Sequence, residues 1–263
     1  MKVLFVTTCP CFYRVTFFRE LGKYCDLTVV FEDGIEKFKQ DASSYYQIDA
    51  TTRYKIASLK RVQIGRYNYD FGLFRLIRKE QFDVVVFGVI ESLSCMRTME
   101  VMHRRHMPYI LNIDGLENKD RGKLKNWAGR HFVSTAPLLL SPSQANDRVL
   151  VSLGATQNHI RRYSFASYHV GQVLKKGLSY KERMDACRSL GIPPMRYVVS
   201  VAQLIPGKNP LGLIKIWHQI STENECLLLV GKGPLDHVIR VVIEHEKILN
   251  VRLVSFTSPE KIP

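Results

Sequence analysis

What the chain lacks narrows its class first. No apolar run approaches the roughly 18 residues that crossing a bilayer requires. The opening Met1-Lys2-Val3-Leu4-Phe5-Val6 turns polar at Thr7-Thr8 before a signal-peptide core can form. A cytoplasmic protein is therefore expected. Cysteine is sparse, six in 263 residues and in no disulfide-scaffold spacing, so reduced thiols are the expectation. Cys9-Pro10-Cys11 is the one close pair; a metal reading of it needs two further ligands, and small cysteines at a strand end are the plainer reading. No Gly-x-Gly-x-x-Gly follows Val3–Thr7, and no Walker loop, His-Glu-x-x-His or Gly-x-Ser-x-Gly occurs, which removes the dinucleotide, P-loop, zinc-protease and α/β-hydrolase signatures. His103 and His106 have the spacing of one helix face but no third ligand, and surface positions are expected of them. Solenoid repeats, low-complexity tracts, zinc-finger and RNP-type motifs are missing as well.

Acidic residues are also short, 24 against 38 basic, for a formal net charge of +14. The excess is spread rather than blocked: residues 1–165 hold 25 Lys+Arg against 16 Asp+Glu, and 166–263 hold 13 against 8. Arg104-Arg105, Lys119 to Lys125 and Arg161-Arg162 favour the first part. A basic surface implies a polyanionic neighbour, whether phosphorylated substrate, anionic membrane face or nucleic acid; solvated helix faces explain any single cluster equally well.

What is present is an alternation of short β-branched runs with helical patterns. Val3–Thr7, Leu27–Phe31, Asp83–Phe87, Tyr109–Ile113 and Leu138–Ser141 read as strands buried on both faces. Arg14–Tyr24, Phe71–Glu80, Leu93–His106 and Lys123–Val133 have helical spacing, and Ser143 is an N-cap for a helix that Gly154 stops. The pattern restarts after an irregular stretch near Ser164–Gly177. It predicts helix Tyr180–Leu190, strand Tyr197–Ala202, helix Leu211–Ile220, strand Cys226–Gly231, helix Leu235–Leu249, strand Val251–Phe256 and a helix opening at Ser258-Pro259-Glu260. The expected fold class is α/β with two Rossmann-like doubly wound lobes, divided as 1–165 and 166–263, the second incomplete because such a half needs about five or six strands.

Ligands of open α/β sheets bind at the carboxyl ends of strands, so the loops there are the candidate sites. Val201-Ala202-Gln203-Leu204-Ile205-Pro206-Gly207-Lys208-Asn209 leaves one strand, and its lysine can place a positive charge on a departing diphosphate. Taken alone, Lys208 reads more readily as one surface lysine among many. Val230-Gly231-Lys232-Gly233-Pro234-Leu235 leaves the next: glycines admit close approach of a ligand, Pro234 suits a first helical position, and a helix start offers free donors to anions. Plain structural punctuation is the competing reading of Gly231 and Gly233.

In order along the chain, these segments resemble a known family. Val201 to Asn209 looks like the Val-Gly-Arg/Gln-Leu-x-x-x-Lys-Gly segment, and Val230 to Leu235 like the Val-Gly-x-Gly-Pro segment, of family 4 retaining glycosyltransferases of GT-B fold. Tyr13-Arg14-Val15 with Phe17 to Leu21, Asn112-Ile113-Asp114-Gly115, Leu140-Ser141-Pro142-Ser143 and Gly154-Ala155 before Tyr163-Ser164-Phe165 resemble its capsular and exopolysaccharide branch. The resemblance implies transfer of a sugar from a nucleotide-diphosphate donor to a growing, lipid-linked surface polysaccharide, with retention and with no essential metal or other cofactor. Lys208 would neutralise the donor diphosphate beside Gln203, which stands where many members have an arginine, and Asn209 replaces the usual glycine. Gly231, Gly233 and Pro234 would lie beside the nucleotide. Arg14, Asn112 and Asp114 would serve the acceptor, Asp114 facing the cleft; an Asp-Gly turn and a helix start are the structural alternatives for Asp114 and Arg14. Peripheral contact of the basic first lobe with the inner face of the plasma membrane is expected, and nucleic acid is not. The sequence departs from the pattern in having no two glutamates eight positions apart, the Glu-x7-Glu element that contacts donor sugar and ribose. A truncated chain with little transfer activity is therefore expected, and a non-catalytic carbohydrate- or partner-binding protein is the alternative.

Overall fold

Runs that are apolar on both sides and separated by helical segments can pair only in parallel, because a crossover must return each strand to the same end of the sheet. The computed structural model describes residues 1–34, 53–64, 67–113, 123–164, 171, 175–222 and 224–254. The chain divides into two compact units, Met1–Val170 and Gly171–Pro263.

In the first unit the elements are β1 (Lys2–Thr7), α1 (Phe12–Leu21), β2 (Asp26–Phe31), β3 (Lys55–Ile56), β4 (Lys60–Ile64), β5 (Tyr67–Phe71), α2 (Leu73–Glu80), β6 (Val84–Phe87), α3 (Leu93–Arg104), β7 (Ile110–Asn112), α4 (Lys123–Thr135), β8 (Leu138–Ser141), α5 (Gln144–Ser152) and β9 (Ile160–Arg162). Seven strands form a parallel sheet in the order β3-β2-β1-β6-β7-β8-β9, and β4 and β5 form a separate antiparallel hairpin. Val3 lies opposite Leu27 on one side and Val84 on the other. Strand order reverses beside β1, as it does in a doubly wound sheet.

Alternation along β1 sends side chains into two layers. Leu4 and Val6 join Phe87, Leu111 and Leu139 against Met99 and Met102 of α3 and Phe132 of α4. Val3 and Phe5 join Leu27, Val29 and Val86 against Phe18 of α1. Phe18 is fully buried and meets the rings of Phe5, Tyr54 and Phe31 at 5.0, 5.7 and 6.2 Å. Such edge contacts each add about 0.5–1.5 kcal/mol beyond the area they bury.

The second unit contains α6 (Tyr180–Ser189), β10 (Arg196–Val201), α7 (Pro210–Ile220), β11 (Glu225–Val230), α8 (Asp236–His245) and β12 (Val251–Val254). Its parallel sheet runs β10-β11-β12. Leu204, Ile214, Trp217, Leu227, Leu229, Ile239, Ile248 and Val251 make its core. Trp217 satisfies its indole N–H on the Asn250 carbonyl at 3.1 Å.

The principal runs fold as their periodicity predicts, with local corrections. Phe71 closes β5, and the helix predicted from it begins at Leu73, because Gly72 at φ 94° turns the chain first. The helix predicted as Leu235–Leu249 spans only Asp236–His245, with Lys247 at φ 52° just beyond it. His106 lies past the end of α3 at φ 54°, so it shares no helix face with His103. β3, β4, β5 and β9 have no apolar run and were not predicted. Ser143 caps α5 as expected, accepting from the Asn146 N–H at 3.2 Å. Residues 255–263 of the last predicted strand and helix lie outside the described residues. Among those described, no helix is long and apolar enough to cross a membrane.

Candidate functional site

Parallel pairing brings the carboxyl ends of neighbouring strands to one edge, and the loops that leave that edge are described unit by unit. In the second unit the loops after β10 and β11 are joined by their backbones. Ala202 N–H donates to Val230 O at 3.1 Å, Leu204 N–H to Lys232 O at 3.0 Å and Leu235 N–H to Leu204 O at 3.0 Å. The parallel ladder thus continues past the sheet, with Leu204 buried beneath it.

This pairing explains both glycines. A Cβ on Gly231 would lie 1.9 Å from Ala202 O, and one on Gly233 would lie 2.5 Å from Leu204 O. Close approach of the neighbouring loop therefore requires them, whatever ligand lies beyond. Pro234 sits in the turn before α8 rather than at its first position, because the helix starts at Asp236.

Lys208 ends a short 3₁₀ turn, Pro206–Lys208. Its side chain is exposed and makes no ion pair among the described residues, and Gln203 is exposed as well. Asn209 follows at φ 48°, ψ 48°, and its Oδ1 accepts from the Gly212 N–H at 3.3 Å, capping α7. Asparagine tolerates the left-handed region and is among the best N-caps. Its presence where the family pattern has glycine therefore keeps the turn and adds a cap.

In the first unit, α1 carries Arg14 into the protein. Arg14 and Asn112, at the end of β7, are both buried, and Arg14 Nη1 donates to Asn112 Oδ1 at 3.0 Å. Two of the three predicted acceptor residues are thus in contact; the third, Asp114, lies outside the described residues. Asn146 of α5 is a residue the sequence reading missed. Its Nδ2 donates to Ile113 O at 3.0 Å and to Ser141 Oγ at 3.1 Å, tying the end of β7 to the end of β8. Its Oδ1 is buried without a hydrogen-bond partner among the described residues. Its position three residues after the predicted cap Ser143 was the only signal available.

A second polar cluster at this edge was also missed. Glu32, the residue after β2, is buried; Ser92 Oγ donates to its Oε1, and the Cys95 thiol donates to the same oxygen at 3.1 Å. Beside it, Arg61 grips Asp70 through Nε at 2.6 Å and Nη2 at 2.8 Å. Burial raises the Glu32 carboxyl from 4.5 to about 7; the bonds from Ser92 and Cys95 oppose this, Asp70 adds to it and Arg61 counters it. Among the described residues, no group of three or more His, Cys, Asp or Glu is placed to hold a metal.

No protein-family model matches the sequence, and no curated protein matches it. Solved structures do match. The chain aligns with Anabaena HepE, solved in complex with UDP, at TM-score 0.70 and 14% identity, over 99% of this chain and 70% of HepE. A glycosyltransferase from Rickettsia africae aligns at TM-score 0.67 and 12% identity, over 98% of this chain and 68% of that one. UDP-GlcNAc 2-epimerase from Neisseria meningitidis aligns at TM-score 0.59 and 12% identity, over 99% of this chain and 73% of that one. The fold is thus α/β of GT-B type with Rossmann-like lobes. Relative to HepE the second lobe is incomplete, with three strands among the described residues.

Two expectations follow from this geometry. Gly231→Ala should destabilise the second unit by about 1–3 kcal/mol, the usual cost of forced overpacking, whereas Asn209→Gly should change stability by only a few tenths of a kcal/mol. Urea unfolding followed through buried Trp217 separates the two outcomes, and equal effects would contradict this account of the loops. Glu32 gives a pH signature. Between pH 4.5 and about 7 the folded unit holds a proton that the unfolded chain has released, so stability is fullest below that window and declines as pH rises through it. Glu32→Gln should flatten this decline by on the order of 2–3 kcal/mol, given about 1.4 kcal/mol per pH unit. Urea midpoints of the first unit at pH 5 and pH 8, compared between wild type and variant, measure it.

Proposed function

We propose that the chain is a GT-B glycosyltransferase that moves a sugar from a nucleotide-diphosphate donor onto a growing, lipid-linked surface polysaccharide with retention of configuration. The observation that carries this reading is the exposed Lys208 beside two backbone-joined loops at the carboxyl edge of the second sheet. Charge accumulates on the diphosphate as the bond to the anomeric carbon breaks, and a cation fixed nearby stabilises that state more than the ground state. Lys208 supplies the charge in place of a metal. Gln203 contributes a neutral hydrogen bond at most. HepE and the Neisseria epimerase, solved with UDP and UDP-GlcNAc, support a nucleotide-sugar as the ligand class.

On the acceptor side we assign Arg14 and Asn112, with Asp114 beyond them. The Arg14 guanidinium suits a phosphate, and amide groups of the Asn112 and Asn146 kind suit sugar hydroxyls. The basic first unit is assigned to the anionic inner face of the plasma membrane, where each nearby Lys or Arg adds about 1 kcal/mol.

Nucleotide binding tests this reading directly. Calorimetric titration with UDP and the other nucleoside diphosphates should show binding in the presence of EDTA. Lys208→Ala should weaken it by about tenfold to a hundredfold, the worth of a hydrogen bond to a charged group. Absence of binding in both proteins would favour the non-catalytic carbohydrate-binding reading. Sedimentation with phosphatidylglycerol vesicles should fall steeply as salt rises from low to physiological strength; salt-independent binding would remove the membrane assignment.

A further inference from the structure

We propose that Lys232 is a second cation of the donor site, and that with Lys208 it makes this edge selective for a nucleoside diphosphate over the corresponding monophosphate. The proposal rests on the nucleotide-sugar reading of the same edge.

Register places the residue. β10 and β11 pair with Val201 opposite Val230, and the bonds from Ala202 N–H to Val230 O and from Leu204 N–H to Lys232 O continue that pairing beyond the strands. Ala202 therefore lies beside Gly231, Gln203 beside Lys232 and Leu204 beside Gly233. Lateral neighbours in a ladder point to the same face, and successive residues to opposite faces. Leu204 is 3% exposed and belongs to the core, so Gln203 and Lys232 share the outward face, and both are exposed.

Packing accounts for the glycines on either side but not for the lysine between them. Gly231 and Gly233 are required by the approach of Ala202 O and Leu204 O. At position 232 the neighbouring loop uses only the carbonyl oxygen, which any residue supplies. Between Val230 and Pro234 the Lys232 side chain stands alone, so a ligand seated against this glycine-flanked backbone has its ammonium group as a neighbour.

The charge pattern agrees. Val201–Asn209 and Val230–Leu235 together contain two lysines and no acidic residue, and Asp236, which follows, pairs with Arg240 Nε at 2.7 Å. An ammonium group acts on phosphate as a point charge with rotatable donors, so it needs no fixed fork to engage one. One lysine is matched by a single phosphate. Two on adjoining loops are matched together only by a ligand that carries two phosphates. As the sugar leaves, negative charge grows on the diphosphate, and the second cation stabilises that state further.

Calorimetric titration with UDP, GDP and ADP, each beside its monophosphate, tests this assignment. Wild type should bind the diphosphate of at least one base more tightly than its monophosphate. Lys232→Ala should weaken that diphosphate by about tenfold, the lower end of what a hydrogen bond to a charged group is worth, and the monophosphate by less, so that the preference narrows. Lys232→Gln, which keeps much of the stem and loses the charge, should behave alike and serves should the alanine variant fail to fold. Gln203→Arg added to Lys232→Ala should recover the lost affinity, because the two positions are lateral neighbours. Lys215→Ala, at an exposed lysine on α7, should leave both affinities unchanged. Wild-type affinity and preference in Lys232→Ala, beside a weakened Lys208→Ala, would overturn this proposal and leave the nucleotide reading standing. An equal loss in Lys215→Ala would also overturn it, since any positive charge would then serve. A wild type that binds none of the diphosphates removes the nucleotide reading and this proposal with it.

Discussion

A parallel sheet satisfies its own backbone along the strands but not at the edge where the chain leaves them, and the peptide groups there must find partners of another kind. Both units extend the ladder through the backbone, and the first adds buried side chains. In the second, loop backbones bond to each other, through Ala202, Leu204 and Leu235, so that the exit from β10 and β11 extends the ladder. In the first, the Glu32 and Asp33 N–H groups likewise donate to Thr7 O and Thr8 O, and side chains add to this: Asn146 holds Ile113 O, the Ser94 hydroxyl receives the Asp70 N–H, and Arg61 reaches Phe31 O. In the second unit the close backbone approach demands glycine at 231 and 233. The side-chain solution demands buried polar residues, and Arg14, Glu32, Asp70, Asn112, Asn146 and Asp147 are all buried.

That difference sets what was legible in the sequence. Strands such as Val3–Thr7 and Leu138–Ser141 could be read directly, because burial on both faces leaves an unbroken apolar run. The short strands Lys55–Ile56 and Ile160–Arg162 could not, since two or three residues at a sheet edge, half or more of them charged, owe their conformation to the neighbouring strand rather than to any pattern of their own. Gly231 and Gly233 were legible as special positions, but the reason for them was not: a sequence shows that no Cβ is present and is silent on what occupies its place. Glu32 lies 60 and 63 residues from Ser92 and Cys95 in sequence, and only folding makes them one cluster.

Substitution within the family-like loop follows conformational rules before chemical ones. At φ 48° the residue after Lys208 must tolerate the left-handed region, and asparagine does so while capping α7. The turn that presents Lys208 is therefore compatible with asparagine at this position. Gln203 is a different case. No backbone constraint asks for glutamine at that exposed position, and exchanging a guanidinium for an amide removes a whole charge.

The fold itself does not select a reaction. Similar structures include both a glycosyltransferase and an epimerase that binds a nucleotide-sugar. A cation near the leaving group favours any process in which a diphosphate departs, so a lysine at the donor edge speaks for the ligand class and not for the fate of the sugar. That fate depends on which nucleophile meets the anomeric carbon. A transferase must present a hydroxyl and hold the chain that bears it, which calls for polar groups fixed in advance rather than recruited from solvent. The buried Arg14–Asn112 pair and the bracing Asn146 amide are groups of that kind.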